Sequence, residues 1–354
     1  MRREGEWLEL ASVRGLAVVR PERLPMARDT VFDLASLTKV MATTCAVMQL
    51  VSERRLALDD PVAKYLPHFH EREKEGVTLR HLLTHSSGLR PWRAIHEALE
   101  ERERKRGEKL LGTAEAREWV IESICRSALV HAPGTAAVYG DLDMIALGAV
   151  VEAVAGERLD AFCAERIFAP LGMRATRFLP LEQGPRPEAE RRQAAATENC
   201  PWRGRILWGE VHDPNAFAMG GVAGHAGLFA PADDVMRFAQ ALLDAWHGRE
   251  GPQGGQAVLA PEALRHFAQR QDLPPGSGWA LGWDTPSEGS STAGSHFSRA
   301  SIGHLGFTGT SLWIDLEAEC IVVMLTNRIH LVAKKSRFGL RAQVHDLVRE
   351  AFAA

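Results

Sequence analysis

The chain has 354 residues, of which 45% are hydrophobic and 25% charged, with a net charge of -3 at pH 7. This composition is typical of a globular protein whose core is large enough for two lobes. Lysine and arginine are dispersed along the chain and give no basic surface, so we expect no nucleic-acid partner.

The cysteines and the N-terminal segment bear on the cellular compartment. No C-x-x-C pair occurs among the five cysteines, which predicts buried thiols in a reducing compartment: Cys45, Cys125, Cys163, Cys200 and Cys320. Residues Met1 to Leu10 lack the apolar core of a signal peptide, and no segment has 18 consecutive apolar residues. We therefore expect a cytoplasmic protein without a membrane span.

The first two thirds of the chain are predicted to be mainly helical. Alternation over Trp7 to Val19 indicates one or two strands, and apolar residues at helical spacing predict an amphipathic helix over Leu37 to Arg55. The same pattern predicts four further helices: Leu79 to Thr84, Thr113 to Ser127, Leu142 to Val154 and Leu159 to Ile167.

The last third changes to β-strand patterns. Strands are predicted over Ala280 to Asp284, Gly303 to Ile314 and Cys320 to Asn327, with Asp315 to Glu319 as a hairpin connection and a helix over Arg337 to Phe352. Strands at both ends around a helical middle predict an α/β (α+β) fold. Its antiparallel sheet, flanked by helices, is built from residues 1–59 and 271–354, and residues 60–270 form an inserted, mostly helical lobe.

Ser36 and Lys39 place a hydroxyl and an amine one helical turn apart in an apolar run. Residues i and i+3 share a helix face, so Lys39 can accept the Ser36 proton if desolvation lowers the pKa of the amine. Such a pair makes a serine nucleophilic without a histidine. The alternative is that Ser36 only caps a helix, since serine commonly precedes a helical pattern.

Tyr139 is a second candidate for chemistry. The chain has 13 Phe and 9 Trp but only 2 Tyr, so a phenol is not the routine way in which this sequence fills its core. Tyr139 follows a Pro-Gly turn and precedes a predicted helix. A structural tyrosine that hydrogen-bonds a turn remains the alternative.

A third candidate is the glycine-rich stretch from His304 to Thr310, which we expect on a strand that continues through Trp313. Small residues in a strand that lines a cleft let backbone N–H groups approach a substrate carbonyl. A β-bulge or a tight packing contact would also explain the glycines.

Together the three elements resemble the serine β-lactamase and penicillin-binding-protein superfamily, whose S-x-x-K, Y-x-N and K-T-G elements converge on one cleft. The elements here are Ser36 to Lys39, Tyr139 to Asp141 and His304 to Gly306. The resemblance extends over Arg28 to Glu350, including TLRHLLTHSSGL (78–89) and GGVAGHAGLF (220–229). The chain is most similar to the class C β-lactamase-related esterases and peptidases, in which a histidine often replaces the third-element lysine.

The resemblance implies roles for the matching residues. Ser36 would attack a carbonyl carbon and form an acyl-enzyme, while Lys39 and Tyr139 would share the proton transfers. The backbone N–H groups of Ser36 and Phe307 would hold the oxyanion, with Gly306 allowing close approach, and one such donor is worth about 3 kcal/mol. The resemblance implies no metal and no cofactor.

Asp141 and His304 depart from the family pattern, which has Asn and Lys at these positions. A carboxylate at 141 can pair with Lys39 and would repel a substrate carboxylate, and a partly charged histidine at 304 weakens the binding of such a group further. We therefore expect a serine hydrolase acting on esters or amides of small acyl groups. The alternatives are D-Ala-D-Ala carboxypeptidase or β-lactamase-type activity, and a catalytically silent binding module of the same fold.

Other chemistries find less support. His81 and His85 have the i, i+4 spacing of a helical zinc pair, but Leu82 stands where the general-base glutamate belongs. A G-x-S-x-G nucleophile elbow and a G-K-[ST] phosphate loop are absent. Relatives usually have a helix and a strand before the nucleophile, whereas 35 residues precede Ser36, so a longer upstream segment carrying an export signal would make the protein periplasmic. The expected partner is a small ester, amide or peptide substrate, and the sequence leaves the oligomeric state open.

Overall fold

A computed structural model describes residues 1–3, 5–70, 74–249, 258–289, 291–331 and 339–353. The helices in these ranges are Lys39–Thr44, Cys45–Ser52, Val62–Lys64, Pro67–His70, Leu79–Leu83, Ile95–Arg106, Ala114–Cys125, Leu142–Ala155, Leu159–Cys163, Ala164–Phe168, Leu181–Gln183, Glu188–Gln193, Pro214–Ala218, Ala232–Trp246, Pro261–Ala268 and Leu340–Ala353. The strands are Arg2–Arg3, Glu6–Trp7, Leu16–Val18, Leu24–Pro25, Phe32–Asp33, Arg177–Phe178, Ala196–Cys200, Arg205–Trp208, Leu228–Ala230, Ser301–Leu305, Ser311–Asp315 and Cys320–Met324.

The predicted helices form with ends that differ by only a few residues from the expected positions. The helix after Ser36 starts with the wide turns of a π-helix over Lys39–Thr44 and continues as an α-helix over Cys45–Ser52. Leu142–Ala155 ends at Gly156, whose φ of 79° suits a residue without a Cβ. The predicted start at Arg337 of the C-terminal helix lies outside the described residues.

The predicted antiparallel sheet flanked by helices is present near the C-terminus. Ser301–Leu305, Ser311–Asp315 and Cys320–Met324 pair in chain order, and Asp315 lies opposite Cys320, which confirms the predicted hairpin. The helices Ala232–Trp246 and Leu340–Ala353 pack against the Cys320–Met324 strand.

Two strand predictions are wrong, and glycine explains both. The single strand over Gly303 to Ile314 is instead a hairpin, because Gly306 N–H donates to Thr310 O at 2.8 Å and Gly309 has a φ of 111°. Ala280 to Asp284 is not a strand. Gly282 has a positive φ and its N–H donates to the Leu83 carbonyl at 2.8 Å, so the segment turns.

Segments from both ends of the chain meet beside this sheet. Asn327 Nδ2 donates to the Ala17 carbonyl at 2.9 Å, and Arg2 N–H donates to Glu319 O at 2.9 Å. A small sheet in the order Phe32–Asp33, Leu228–Ala230, Arg177–Phe178 then places the segment before Ser36 beside the chain from the helical middle. The lobe boundaries near residues 59 and 270 stay a prediction.

All five cysteines are buried, as the sequence predicts. Within the described ranges, every helix is too short or too polar to span a bilayer.

Candidate active site

Ser36 lies on a tight turn between a strand and a helix. Ala35 before it has a φ of 47°, and the buried Asp33 carboxylate accepts the Ala35 N–H at 2.8 Å. Lys39 N–H donates to the Ser36 carbonyl at 3.1 Å, which closes a turn that puts both side chains on one face. Lys39 Nζ lies 2.8 Å from Ser36 Oγ, so the two predicted groups are in hydrogen-bond contact.

Lys39 is completely buried and its amine has three acceptors. Nζ donates to Ser36 Oγ at 2.8 Å, to Asp141 Oδ1 at 2.8 Å and to the His225 carbonyl at 3.2 Å. Burial favours the neutral amine, but the Asp141 carboxylate and the Tyr139 phenol outweigh it and hold the pKa of Lys39 above its usual value. The expectation that desolvation makes Lys39 a neutral base is therefore wrong, since Asp141 keeps it an ammonium ion.

Tyr139 stands in front of this pair with a defined orientation. Its ring stacks on Trp279 with centroids 5.6 Å apart and planes 9° apart, and the edge of His85 packs on it at 5.0 Å. The ring centroid lies 5.1 Å from Lys39 Nζ, and 42% of the tyrosine is exposed. Neither Trp279 nor His85 is among the site residues predicted from the sequence.

His304 is neutral near pH 7, rather than partly charged as expected. Burial and the positive charge of Lys39 lower the pKa of His304 to about 3. The imidazole lies with Nδ1 2.9 Å from the Leu305 carbonyl, which assigns the proton to Nδ1 and makes Nε2 an acceptor. That Nε2 is buried and has no hydrogen-bond partner in the described part of the chain.

The turn that carries Gly306 and Phe307 is bonded to the segment before Ser36. Thr308 Oγ1 donates to the Asp33 carbonyl at 2.8 Å, and Thr310 Oγ1 donates to the Leu34 carbonyl at 3.0 Å. These bonds hold the Gly306–Phe307 backbone beside the Ser36 turn, as an oxyanion donor requires. The Phe307 side chain is 61% exposed.

We predict that Gly306→Ala lowers kcat about 100-fold, the effect of displacing a catalytic backbone by about 1 Å. A Cβ at position 306 would lie 1.9 Å from Thr310 Oγ1 and 2.5 Å from the Leu34 carbonyl, so the hairpin must move. Gly76→Ala is the control, because a Cβ there meets nothing within 4 Å. Steady-state kinetics and thermal unfolding of both variants check this; an unchanged kcat in folded Gly306→Ala would contradict it.

Six of the seven predicted site residues line one cavity of about 1480 Å³. They are Ser36, Tyr139, Asp141, His304, Gly306 and Phe307. Lys39, the seventh, is fully buried and in contact with Ser36. The sequence therefore selected residues that converge in space although they lie far apart in the chain.

Asp213 and His225 also line this cavity, although neither is among the site residues predicted from the sequence. His225 Nε2–H donates to Asp213 Oδ1 at 2.8 Å, and the same oxygen accepts the Ala216 N–H at 2.7 Å. Burial would raise the pKa of Asp213, but His225 outweighs burial and holds it below the usual range. The sequence marks His225 as the polar residue inside the glycine-rich run GGVAGHAGLF (220–229), but HDPNAF (212–217) is itself polar and does not single out Asp213.

Asp141, Asp213 and His225 offer ligand atoms that all lie within 4.8 Å of one another. A carboxylate pair with an imidazole is a donor set for a divalent ion. Lys39 Nζ, however, already contacts Asp141 and the His225 carbonyl, so the positive charge that such a cluster needs is supplied by the chain. His81 and His85, the other candidate pair, are engaged separately with Thr78 and Asp143.

Comparison with known proteins identifies the family. The model of the β-lactamase family matches residues 3–346. The chain belongs to the β-lactamase family. It is 34% identical over 342 residues, 89% of the chain and 73% of the relative, to an Escherichia coli K12 protein provisionally named a D-alanyl-D-alanine carboxypeptidase.

Solved structures of low identity share the fold of this family member. EstCE1, described as a hydrolase with promiscuous acyltransferase activity, has a TM-score of 0.67 at 24% identity and covers 94% of this chain and 88% of its own. A penicillin-binding protein from Bacillus halodurans also has a TM-score of 0.67, at 19% identity, covering 97% and 92%. With the family established, the protein is a serine hydrolase.

Proposed function

We propose that this β-lactamase-family protein hydrolyses esters or amides of small acyl groups through an acyl-enzyme on Ser36. The observation that carries the proposal is the contact of Ser36 Oγ with the buried Lys39 amine, which is itself held by Asp141. A buried ammonium at 2.8 Å stabilises the negative charge that develops on the serine oxygen during attack.

The proton path follows from the charge of Lys39. The Lys39 ammonium has no lone pair and cannot take the Ser36 proton; its N–H groups donate to Ser36, Asp141 and the His225 carbonyl. The Ser36 proton therefore passes to the Tyr139 oxygen, whose ring lies beside Lys39, while the Tyr139 hydroxyl gives its own proton to the leaving group. Water then adds to the acyl-enzyme carbonyl and gives a proton to the Tyr139 oxygen. The Tyr139 hydroxyl gives its own proton to Ser36 Oγ as the acyl bond breaks, which releases the acid and regenerates the serine.

The oxyanion is assigned to backbone N–H groups. The Ser36 N–H precedes the helix that starts at Lys39, whose N-terminal end carries partial positive charge. The Phe307 N–H lies on the turn that is bonded to the Asp33 and Leu34 carbonyls. Two donors from different segments are the arrangement that stabilises a tetrahedral intermediate.

The charges around Ser36 support a neutral acyl group. Asp141 is a carboxylate that lines the cavity, and His304 is neutral and presents an acceptor instead of the lysine ammonium of the family pattern. Both features disfavour a substrate carboxylate at this end of the cavity.

D-Ala-D-Ala carboxypeptidase activity is the second candidate, and one observation favours it. Arg328 and Arg341 line the same cavity, and either guanidinium can bind a terminal carboxylate. The E. coli relative bears the name of that activity. A panel of p-nitrophenyl esters, D-Ala-D-Ala peptides and a chromogenic cephalosporin separates the candidates; the proposal fails if a peptide or the cephalosporin is turned over while the esters are not.

We predict that Asp141→Asn/His304→Lys raises kcat/KM for a D-Ala-D-Ala peptide about tenfold relative to p-nitrophenyl acetate. The double variant removes a negative charge and adds a positive one, and a charge-assisted hydrogen bond contributes about 1.5 kcal/mol or more. Asp141→Asn/His304→Gln is the matched control, because it removes the carboxylate without adding a cation. An unchanged peptide-to-ester ratio would contradict the charge argument.

A further inference from the structure

We propose that Asp213 and His225 form a positioning dyad that holds the Lys39 ammonium against Ser36 through the His225 carbonyl. The proposal deepens the proposed function and rests on it. Neither residue belongs to the three elements that Ser36, Tyr139 and His304 represent. Both act through Lys39 and not on the substrate.

His225 and Lys39 are in direct contact. The backbone oxygen of His225 accepts from Lys39 Nζ at 3.2 Å, on the amine that also contacts Ser36 Oγ. Because Lys39 has a flexible four-carbon stem, the position of its amine depends on its acceptors. A shift of the His225 carbonyl therefore moves the amine relative to Ser36.

The loop that carries His225 packs between two helices of the site. Ala223 and Ala226 form an antiparallel bridge, so His225 lies on a tight turn. Thr43 Oγ1, on the Lys39 helix, donates to the Gly224 carbonyl at 2.7 Å. A Cβ on Gly224 would lie 2.0 Å from the Met144 carbonyl, on the helix that follows Asp141. The loop thus lies between the helix that bears Lys39 and the helix next to its carboxylate partner.

The His225 side chain is held in place by Asp213. His225 is 1% exposed, and in the described residues its imidazole has one hydrogen bond, from Nε2 to Asp213 Oδ1 at 2.8 Å. Asp213 is fixed in turn by the Ala216 N–H at 2.7 Å. Next to it, the His212 N–H donates to the Asp33 carboxylate at 2.7 Å, and that carboxylate also holds Ala35. The dyad and the Ser36 turn therefore share one rigid frame.

The test uses the rate constant with which a fluorophosphonate probe labels the full-length protein, together with kcat and KM for an ester. Asp213→Ser keeps a residue that caps the Pro214–Ala218 helix but is too short to hold His225. Asp213→Asn keeps both hydrogen bonds. We expect labelling and kcat to fall about 10- to 100-fold in Asp213→Ser with KM unchanged within about twofold, and to recover within about threefold in Asp213→Asn.

A double-mutant cycle shows whether the two residues act through one path. We expect His225→Ala to lose as much as Asp213→Ser, and the double variant to be no slower than either single variant within about twofold. Additive losses, a raised KM with kcat retained, or activity that a chelator removes and zinc restores would overturn the dyad. If the parent protein is not labelled at Ser36, the proposed function itself fails; labelling that all the variants retain overturns only the dyad.

Discussion

Ester hydrolysis by Ser36→Ala is expected to fall at least about 10³-fold below that of the parent protein, because loss of the nucleophile removes the covalent path. Residual activity would come from substrate binding and the oxyanion donors, and KM should change little. Steady-state kinetics with p-nitrophenyl acetate measures the loss.

Ser52→Ala is the matched control for this substitution. Ser52 is exposed at the end of the same helical segment, and its hydroxyl donates to the Met48 carbonyl at 2.9 Å. We expect the control variant to retain full activity. A folded Ser36→Ala protein that hydrolyses the ester within tenfold of the parent would rule out Ser36 as the nucleophile.

Lys39→Met is expected to abolish hydrolysis and to destabilise the fold by about 3 kcal/mol. Methionine is apolar and fills much of the lysine volume, but it leaves the Asp141 carboxylate without its ion-pair partner, and an uncompensated charge in a largely buried pair costs about 3–5 kcal/mol. The Lys39 side chain is fully buried and that of Asp141 is 19% exposed, so we take the lower end of that range. Urea unfolding at pH 7 measures the change.

The double variant Lys39→Met/Asp141→Asn separates stability from chemistry. We expect it to recover most of the lost unfolding free energy, because no unpaired charge remains, while hydrolysis stays abolished, because no ammonium faces Ser36. If the single and double variants were equally unstable, the loss of stability could not come from an unpaired Asp141 carboxylate. Recovery of hydrolysis in the double variant would remove Lys39 from the mechanism.

The sequence predicts the site well where the chemistry depends on local spacing. Ser36 and Lys39 are three residues apart, and a helical turn is enough to bring them together. The family resemblance adds Asp141 and gives roles to Tyr139 and His304, and the fold brings all three residues to the same cavity. The predicted helices, such as Leu142–Ala155, are recognised by their strong apolar periodicity, whereas Ile95–Arg106 and Ala232–Trp246 are not among the predictions.

The sequence fails where long-range contacts decide. The sequence indicates that Asp141, 102 residues away, can pair with Lys39, but it does not show that this contact outweighs burial and raises the pKa of Lys39. Asp213 and His225 are recognised only when the fold brings them to Lys39. The hairpin at Gly306 to Thr310 is missed because Phe307 and the β-branched Thr308 and Thr310 are residue types typical of strands, and only the glycines mark the turn.

Intact mass after exposure to a fluorophosphonate probe tests the central claim most directly. We predict that the parent protein gains the mass of one phosphonyl group at Ser36, and that Ser36→Ala remains unmodified under the same conditions. Labelling that persists in Ser36→Ala, or that maps to another residue of the parent protein, would contradict the acyl-enzyme mechanism.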